Sequence, residues 1–309
     1  MRALVTGGAG FIGSNIVDAL LERGSHVAVI DDLSTGRESN LERAIARGAK
    51  LHVADIRDPR ELAAVFAHER PDTVFHLAAQ IDVRKSLADP ALDAQINVGG
   101  TVNVLVAARE NGVRRLVNTS TGGAIYGDAD VLPTPESAQP RPEAAYAQSK
   151  FSAEGYCSLF QRLYGLSTVT LRYGNVFGPR QDPLGEAGVV AIFCGKLADG
   201  TVPTVFGTGE QTRDYVYVGD VVDANLRAAE RVEVCGPINI GTGRETSVLD
   251  LLAALGGLSD GALKPARFEA ARAGELERSC LDVSLAAETL GWEARTDVPA
   301  GLRATLDSL

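Results

Sequence analysis

Short apolar runs alternate with longer amphipathic ones along the chain as far as about Arg172. The apolar runs have the length of strands: residues 2–6, 26–30, 51–54, 73–77, 115–119 and 167–172. Between them, residues 11–23, 59–69, 90–111 and 142–164 carry the spacing of amphipathic helices, several opened by a proline that suits a first helical turn. Strand and helix in strict alternation predict repeated βα units and a parallel, doubly wound sheet. Beyond Arg172 the rhythm gives way to loops rich in Gly and Pro, strand-like pieces at 204–206 and 214–218, and helices of modest length. That change predicts a second, smaller α/β lobe. No repeat, low-complexity stretch or long linker separates the two, so a broad interface with a cleft is expected.

Composition narrows the function. At 309 residues and roughly 150 per domain, the chain has ample length to bury a core. Its net charge is −10 and its 30 basic residues are dispersed, which argues against a nucleic-acid partner. No apolar stretch approaches the 18 to 20 or so residues that span a bilayer, and a strand-like segment begins directly after Met1. A cytoplasmic protein without a membrane partner is the expectation. Cys157, Cys194, Cys235 and Cys280 fit no metal-ligand spacing and read as buried thiols, so no metal is expected.

The first strand runs into Thr6-Gly7-Gly8-Ala9-Gly10-Phe11-Ile12-Gly13-Ser14. Gly7, Gly10 and Gly13 thus fall where strand becomes helix, the context in which backbone N–H groups approach a pyrophosphate at a helix N-terminus. The second strand ends at Asp31-Asp32. A carboxylate there accepts from ribose hydroxyls and repels a 2′-phosphate, which favours NAD over NADP unless Arg37 reaches back. Asp55 follows the third strand and has two readings, acceptor from an adenine amino group with Ile56 packed on the ring, or a helix cap before Pro59. Asp58 is a candidate cap as well.

Tyr146 and Lys150 stand four apart early in a predicted helix, one turn from each other on one face. A nearby ammonium and a cationic nicotinamide both favour phenolate, which would bring a phenol with a pKa near 10 toward the working range. Tyr146 is therefore the candidate acid/base.

Together TGGAGFIGS, DDLSTG, DIRD, HLAAQ, YAQSK and RDYVYV resemble the extended short-chain dehydrogenase/reductase superfamily and its NAD-dependent epimerase/dehydratase family over nearly the whole chain. The stretches VFHLAAQIDVRKSLADP, LRYGNVFGPRQ and ARAGELERSCLD look most like bacterial UDP-glucose 4-epimerases. The resemblance implies a Rossmann-type sheet formed by residues 1–172 and about 213–240, with about 173–212 and 241–309 as a nucleotide-sugar lobe. It implies NAD held by Phe11, Ile12, Asp32, Leu33, Ser34, Thr35, Gly36, Leu77, Ala78, Ala79, Gln80, Asn97, Ser120 and Tyr173 besides the residues above. Lys150 would also hold the nicotinamide ribose. A UDP-sugar would be met by Arg84, Gly122, Asn175, Val189, Phe206, Gln211, Arg213, Arg272 and Glu275, with Asn175 and the two arginines Arg213 and Arg272 on the diphosphate. For these the plain alternatives are a turn residue and surface salt bridges. A homodimer through the helices at 90–111 and 142–164 is also implied.

Two departures from the family pattern bear on chemistry. Many members carry a Ser or Thr four residues before the Tyr of a Tyr-Gly pair, but four before Tyr126 stands Gly122. Ser120 and Thr121 are the nearest hydroxyls, and Thr121 is the candidate for the relay. Gly122, Gly123 and Ala124 also leave no acid where 4,6-dehydratases of the superfamily carry one, which favours epimerisation over dehydration. The position that gates a 2-substituent falls on the small Ser279, and Arg84 stands where it could meet a uronate, so N-acetylated and uronate sugars remain alternatives to UDP-glucose.

Overall fold

A computed structural model describes residues 1–183, 188–259, 261–271 and 276–309. The predicted strands form at Arg2–Thr6 (β1), His26–Asp31 (β2), Lys50–Val53 (β3), Thr73–His76 (β4), Arg115–Thr121 (β5) and Ser167–Tyr173 (β6). All pair in parallel in the order β3-β2-β1-β4-β5-β6, and a further strand, Gly236–Ile240, extends the sheet beyond β6. The sequence pattern did not single out this last strand. It is short and contains Pro237, which an edge strand tolerates because one side of its backbone has no ladder partner.

Period-two alternation sends successive side chains of each strand to opposite layers. Leu4, Ile30, Val74 and Leu116 pack with Leu62, Phe66, Leu105 and Phe160 of the helices Pro59–Glu69, Thr101–Glu110 and Ala145–Tyr164. Val5, Val29, Phe75, Val117 and Leu171 pack with Ile16, Leu20 and Val221 of the helices Phe11–Glu22 and Val218–Glu230. Burial on both faces is why the strands read as near-continuous apolar runs rather than alternating ones. The strand order reverses between β1 and β4, and there the carboxyl ends of the strands open the crevice in which such folds bind ligands. A separate cluster of Val190, Phe193, Val205, Leu251, Leu255 and Leu302 gathers apolar side chains from the chain beyond β6.

Three boundaries differ from the pattern-based expectation. The helix expected at 90–111 is interrupted by a π turn at Gln95–Gly100, between Pro90–Ala94 and Thr101–Glu110. The helix expected from Pro142 begins at Ala145, where Ser86 Oγ accepts from the Tyr146 amide. The strand expected at 214–218 is split into Thr212–Arg213 and Tyr215–Tyr217. Between them the buried Asp214 carboxylate accepts from Thr242 N–H and Oγ1 and from the amides of Gly243 and Leu281, a draw on the side chain that no strand ladder offers. Among the described residues no helix is long and apolar enough to cross a membrane.

Below the sheet, away from the crevice, Glu69 accepts from Lys50 Nζ at 3.2 Å and lies 3.1 Å from His52 Nε2. Burial works to raise its pKa, but the Lys50 and His52 contacts outweigh it and hold the carboxyl below its ordinary value. A depressed folded-state pKa stabilises above the unfolded value and loses that contribution as pH falls through the folded one. Thermal unfolding of the wild type and Glu69→Gln between about pH 3 and pH 7 should therefore show the variant less stable at neutral pH, with the gap closing below about pH 4. A gap independent of pH would assign Glu69 a packing role alone.

Candidate active site

The crevice is built first by a glycine turn. Gly7 ends β1 at φ +69°, and a Cβ on it would stand 2.6 Å from the backbone nitrogen of Ala78 after β4. Gly13 lets the first helix approach just as closely, since its Cβ would stand 2.2 Å from Gly7 O. The helix Phe11–Glu22 starts at Gly10 with no side-chain cap and no acid in its first turn, which leaves Phe11, Ile12 and their neighbours offering N–H groups to an anion.

Asp31 stands at the end of β2 with one oxygen on Ala9 N–H and the other on Leu33 N–H, both at 2.9 Å. Burial raises its pKa against those two hydrogen bonds. Leu33 to Gly36 fold across it, and a Cβ on Gly36 would touch the carboxylate at 2.7 Å. Asp32 accepts from the amide and hydroxyl of Ser34, and Thr35 completes the loop. Arg37 pairs with Asp182 at 2.6 Å, and among the described residues no guanidinium pairs with Asp31. At the end of β3, Asp55 is gripped by Arg57, whose hydrogen bonds hold its pKa down. Asp58, not Asp55, caps the helix Pro59–Glu69 by accepting from Arg60 and Glu61 amides. Ile56 is buried against Gly100.

After β4, the half-buried Leu77, Ala78, Ala79 and Gln80 run along the crevice. Beneath them lies a directed chain of hydrogen bonds that sequence reasoning missed. Thr101 Oγ1 donates to Asn97 O, so it accepts from His76 Nε2–H; His76 Nδ1 then accepts from Thr6 Oγ1, which itself accepts from Ala78 N–H. Burial and the Lys150 charge lower the His76 pKa to about 3, so the ring is neutral and its tautomer is set. The π turn presents Asn97, whose amide clasps the backbone of Gln80 by N–H and C=O together. A lone histidine in an apolar strand carried no sequence signal beyond its burial.

At the end of β5, alternation separates the candidate hydroxyls. Asn118 reaches Thr170, and Ser120 is in register with Arg172, which pairs with Glu154 of the helix Ala145–Tyr164. Ser120 therefore faces the helix that carries Tyr146, and its buried Oγ has no hydrogen-bond partner among the described residues. Thr121 shares the other face with Thr119 and Tyr173, whose hydroxyls meet at 3.2 Å beside Asn225. Gly122 is explained sterically: a Cβ there would stand 2.6 Å from the Leu281 side chain and 3.1 Å from Arg172 O.

Tyr146 is half-buried and Lys150 buried, one helical turn apart. Burial, reinforced by Asp93, pushes the phenol up to about 12, and burial pulls the ammonium down to about 8 against Cys157, Glu154 and Asp93. In the protein by itself desolvation outweighs the neighbouring ammonium at the phenol, and the cationic nicotinamide of the sequence-based expectation is the second charge that would favour phenolate.

On the other wall, Asn175 begins the strand Asn175–Phe177, its amide donating to Asp214 O and its side-chain oxygen 3.0 Å from where a Gly123 Cβ would be. Gln211 Nε2 donates to Phe206 O, Arg213 NH1 donates to Thr212 O, and Val189 opens the helix Val189–Ala198. Arg84 is exposed on the helix Val83–Ala88, whose Ser86 supports Tyr146. Arg272 and Glu275 lie outside the described residues.

Residues 3–241 match the NAD dependent epimerase/dehydratase family. The chain belongs to that family. It is 46% identical over 308 residues to a UDP-glucose 4-epimerase of Mycolicibacterium smegmatis, covering 99% of this chain and 98% of that protein. The crystal structure of a UDP-glucose 4-epimerase from Thermotoga maritima with UDP-glucose is similar at a TM-score of 0.95 and 45% identity, covering 100% of this chain and 98% of the other. The UDP-glucose 4-epimerase of Thermus thermophilus, in complex with NAD, is similar at 0.92 and 42%, with the same coverage. The cradle fits the family's cofactor: an uncapped helix end for the pyrophosphate, and an acidic strand end with no paired cation among the described residues for the ribose.

For this member of the epimerase/dehydratase family, the close packing at Gly122 has a consequence. Gly122→Ser should lower stability by about 1–3 kcal/mol, because the added atoms press on Leu281 and on backbone. Denaturant unfolding of Gly122→Ser, Leu281→Ala and the double variant should show a favourable coupling. Strict additivity would mean the serine finds another place.

Proposed function

We propose that the chain is an NAD-dependent UDP-hexose 4-epimerase that interconverts UDP-glucose and UDP-galactose. The observation that carries this reading is the pairing of Tyr146 and Lys150 one turn apart at the start of one helix, with Gly122, Gly123 and Ala124 offering no acid for dehydration. Bound NAD would supply reversible uptake of hydride from the sugar's C4. The added positive charge of that cofactor would favour the phenolate of Tyr146, which desolvation otherwise holds back. Tyr146 accepts the proton of the 4-hydroxyl as the carbonyl forms, and its phenol returns a proton to that oxygen once the sugar has presented its other face. Lys150 steadies the phenolate and the ribose. Thr121, the hydroxyl expected from the sequence to relay the proton, shares the sheet face that carries Thr119 and Tyr173, so the relay between the 4-hydroxyl and the phenol falls to Ser120 on the face toward the helix of Tyr146.

The lobe of residues 1–172 and about 213–240 holds the cofactor through the Gly7 turn, Asp31, Asp55, Ile56, Leu77 to Gln80, Asn97 and Tyr173. The smaller lobe takes the nucleotide sugar, with Asn175, Arg213 and Arg272 on the diphosphate. Leu92, Phe151, Tyr156, Leu163 and Tyr164 expose apolar surface on the helices Pro90–Ala94 and Ala145–Tyr164, which supports a homodimer through them. Sedimentation should give twice the 32.5 kDa chain mass; a 32.5 kDa particle would refute the dimer.

The purified protein, without added cofactor, is assayed against UDP-galactose, UDP-N-acetylgalactosamine and UDP-galacturonate in parallel. The expected result is turnover of UDP-galactose to its 4-epimer, falling about 10²- to 10⁴-fold in Tyr146→Phe and at least about tenfold in Ser120→Ala, while an about tenfold fall in Thr121→Val instead would return the relay to Thr121. Faster turnover of either other sugar would move the assignment to that sugar, and no turnover of any with NAD added would overturn it.

A further inference from the structure

Outside the residues assigned above, Asp93 is a buried carboxylate with no cation in ion-pair contact among the described residues. It sits on the helix Pro90–Ala94 at 1% exposure. Three donors from three elements converge on it: Gln80 Nε2 at 2.9 Å, Asn97 Nδ2 at 3.1 Å and Ser149 Oγ at 2.5 Å. Ser149 is the residue before Lys150, Gln80 ends the segment after β4, and Asn97 stands on the π turn. One side chain thus ties the catalytic helix of the proposed mechanism to both segments expected to line the cofactor.

Three neutral donors are far weaker compensation for a buried anion than a paired cation would be, so the charge of Asp93 acts on its surroundings. We propose that Asp93 is a positioning residue for the Tyr146–Lys150 pair, locking Ser149, Gln80 and Asn97 into one unit and supplying a fixed negative charge to which both side chains respond. The other groups facing the pair do not replace it. Glu154 is neutralised by Arg172 of β6 through two guanidinium nitrogens, Cys157 stays a thiol, and His76 of β4 is neutral. Burial is the larger influence on both side chains; Asp93 adds to it at Tyr146 and opposes it at Lys150, in each case favouring the proton-bearing form.

The role is balanced between two needs. A negative charge keeps Lys150 an ammonium in spite of its burial, yet the same charge resists formation of the Tyr146 phenolate. Asp93 therefore sets the pH window of the pair without touching substrate or cofactor. The geometry also makes Asp93→Asn a conservative probe. One amide oxygen can keep the bonds from Gln80 and Asn97, and the amide nitrogen can donate to Ser149 Oγ, so the charge is removed while the hydrogen bonds are kept.

The inference uses the epimerase reading only in calling the helix catalytic, and its test does not depend on turnover. The phenolate of Tyr146 is titrated in the holoprotein by ultraviolet difference absorbance, each protein measured against its own Tyr146→Phe counterpart. In Asp93→Asn the Tyr146 midpoint should fall by about half a pH unit or more, because an anion has been removed. In Ser149→Ala the carboxylate loses a donor, its field on the pair strengthens, and the midpoint should rise. Opposite directions are the mark of an electrostatic role. Unmoved midpoints, or a shift of both in one direction, would overturn the proposal, and should Asp93→Asn fail to fold, the direction in Ser149→Ala decides alone. If UDP-sugars turn over, the alkaline limb of kcat/KM should also move down in Asp93→Asn. If they do not, the epimerase reading fails while the titration still judges Asp93.

Discussion

The approach of the Gly7 turn to the backbone of Ala78 is the constraint around which the site is arranged. A Cβ at Gly7 would lie 2.6 Å from Ala78 N, so β1 and β4 can diverge at their carboxyl ends only with glycine there. The same Ala78 N–H enters the hydrogen-bond chain through Thr6, His76 and Thr101 to Asn97. Steric closeness on one side and a one-way polar chain on the other thus hold the β4 segment against the crevice. A neutral, doubly bonded histidine is well suited to this, because it cannot gain a proton in that apolar setting and reverse the chain.

Charge is used sparingly in the layer between sheet and helix. Arg172 and Glu154 answer each other where β6 meets the helix Ala145–Tyr164, and losing one partner of such a pair typically costs about 3–5 kcal/mol. Arg172 also donates to Tyr126 Oη, which donates to Asn239 on the edge strand. That pair therefore anchors the sheet edge. Lys150, in contrast, has no ion pair among the described residues, which leaves its ammonium available to the crevice.

The chemistry-bearing motifs were legible in the chain because they are local. The glycine turn, Asp31 at a strand end and the one-turn spacing of Tyr146 and Lys150 need only a few consecutive residues in the right element. The smaller lobe was harder to read, since its strands are two or three residues long and pair across long separations, as Thr204–Phe206 does with Arg267–Glu269. Asp55 had two local readings, and only the packed structure gave the cap to Asp58 and put Arg57 on Asp55.

By itself the sequence determined the order of the βα units, the glycine turn and the one-turn spacing of Tyr146 and Lys150, since hydrophobic period, turn chemistry and helical spacing act over a single element. Only the tertiary structure decided which polar groups share the space between elements. His76 between Thr6 and Thr101, Asp93 beneath Ser149, and Leu281 filling the place of a side chain at Gly122 each bring together residues from distant parts of the chain. Their energies depend on burial and on direction, and those exist only once the layers have closed.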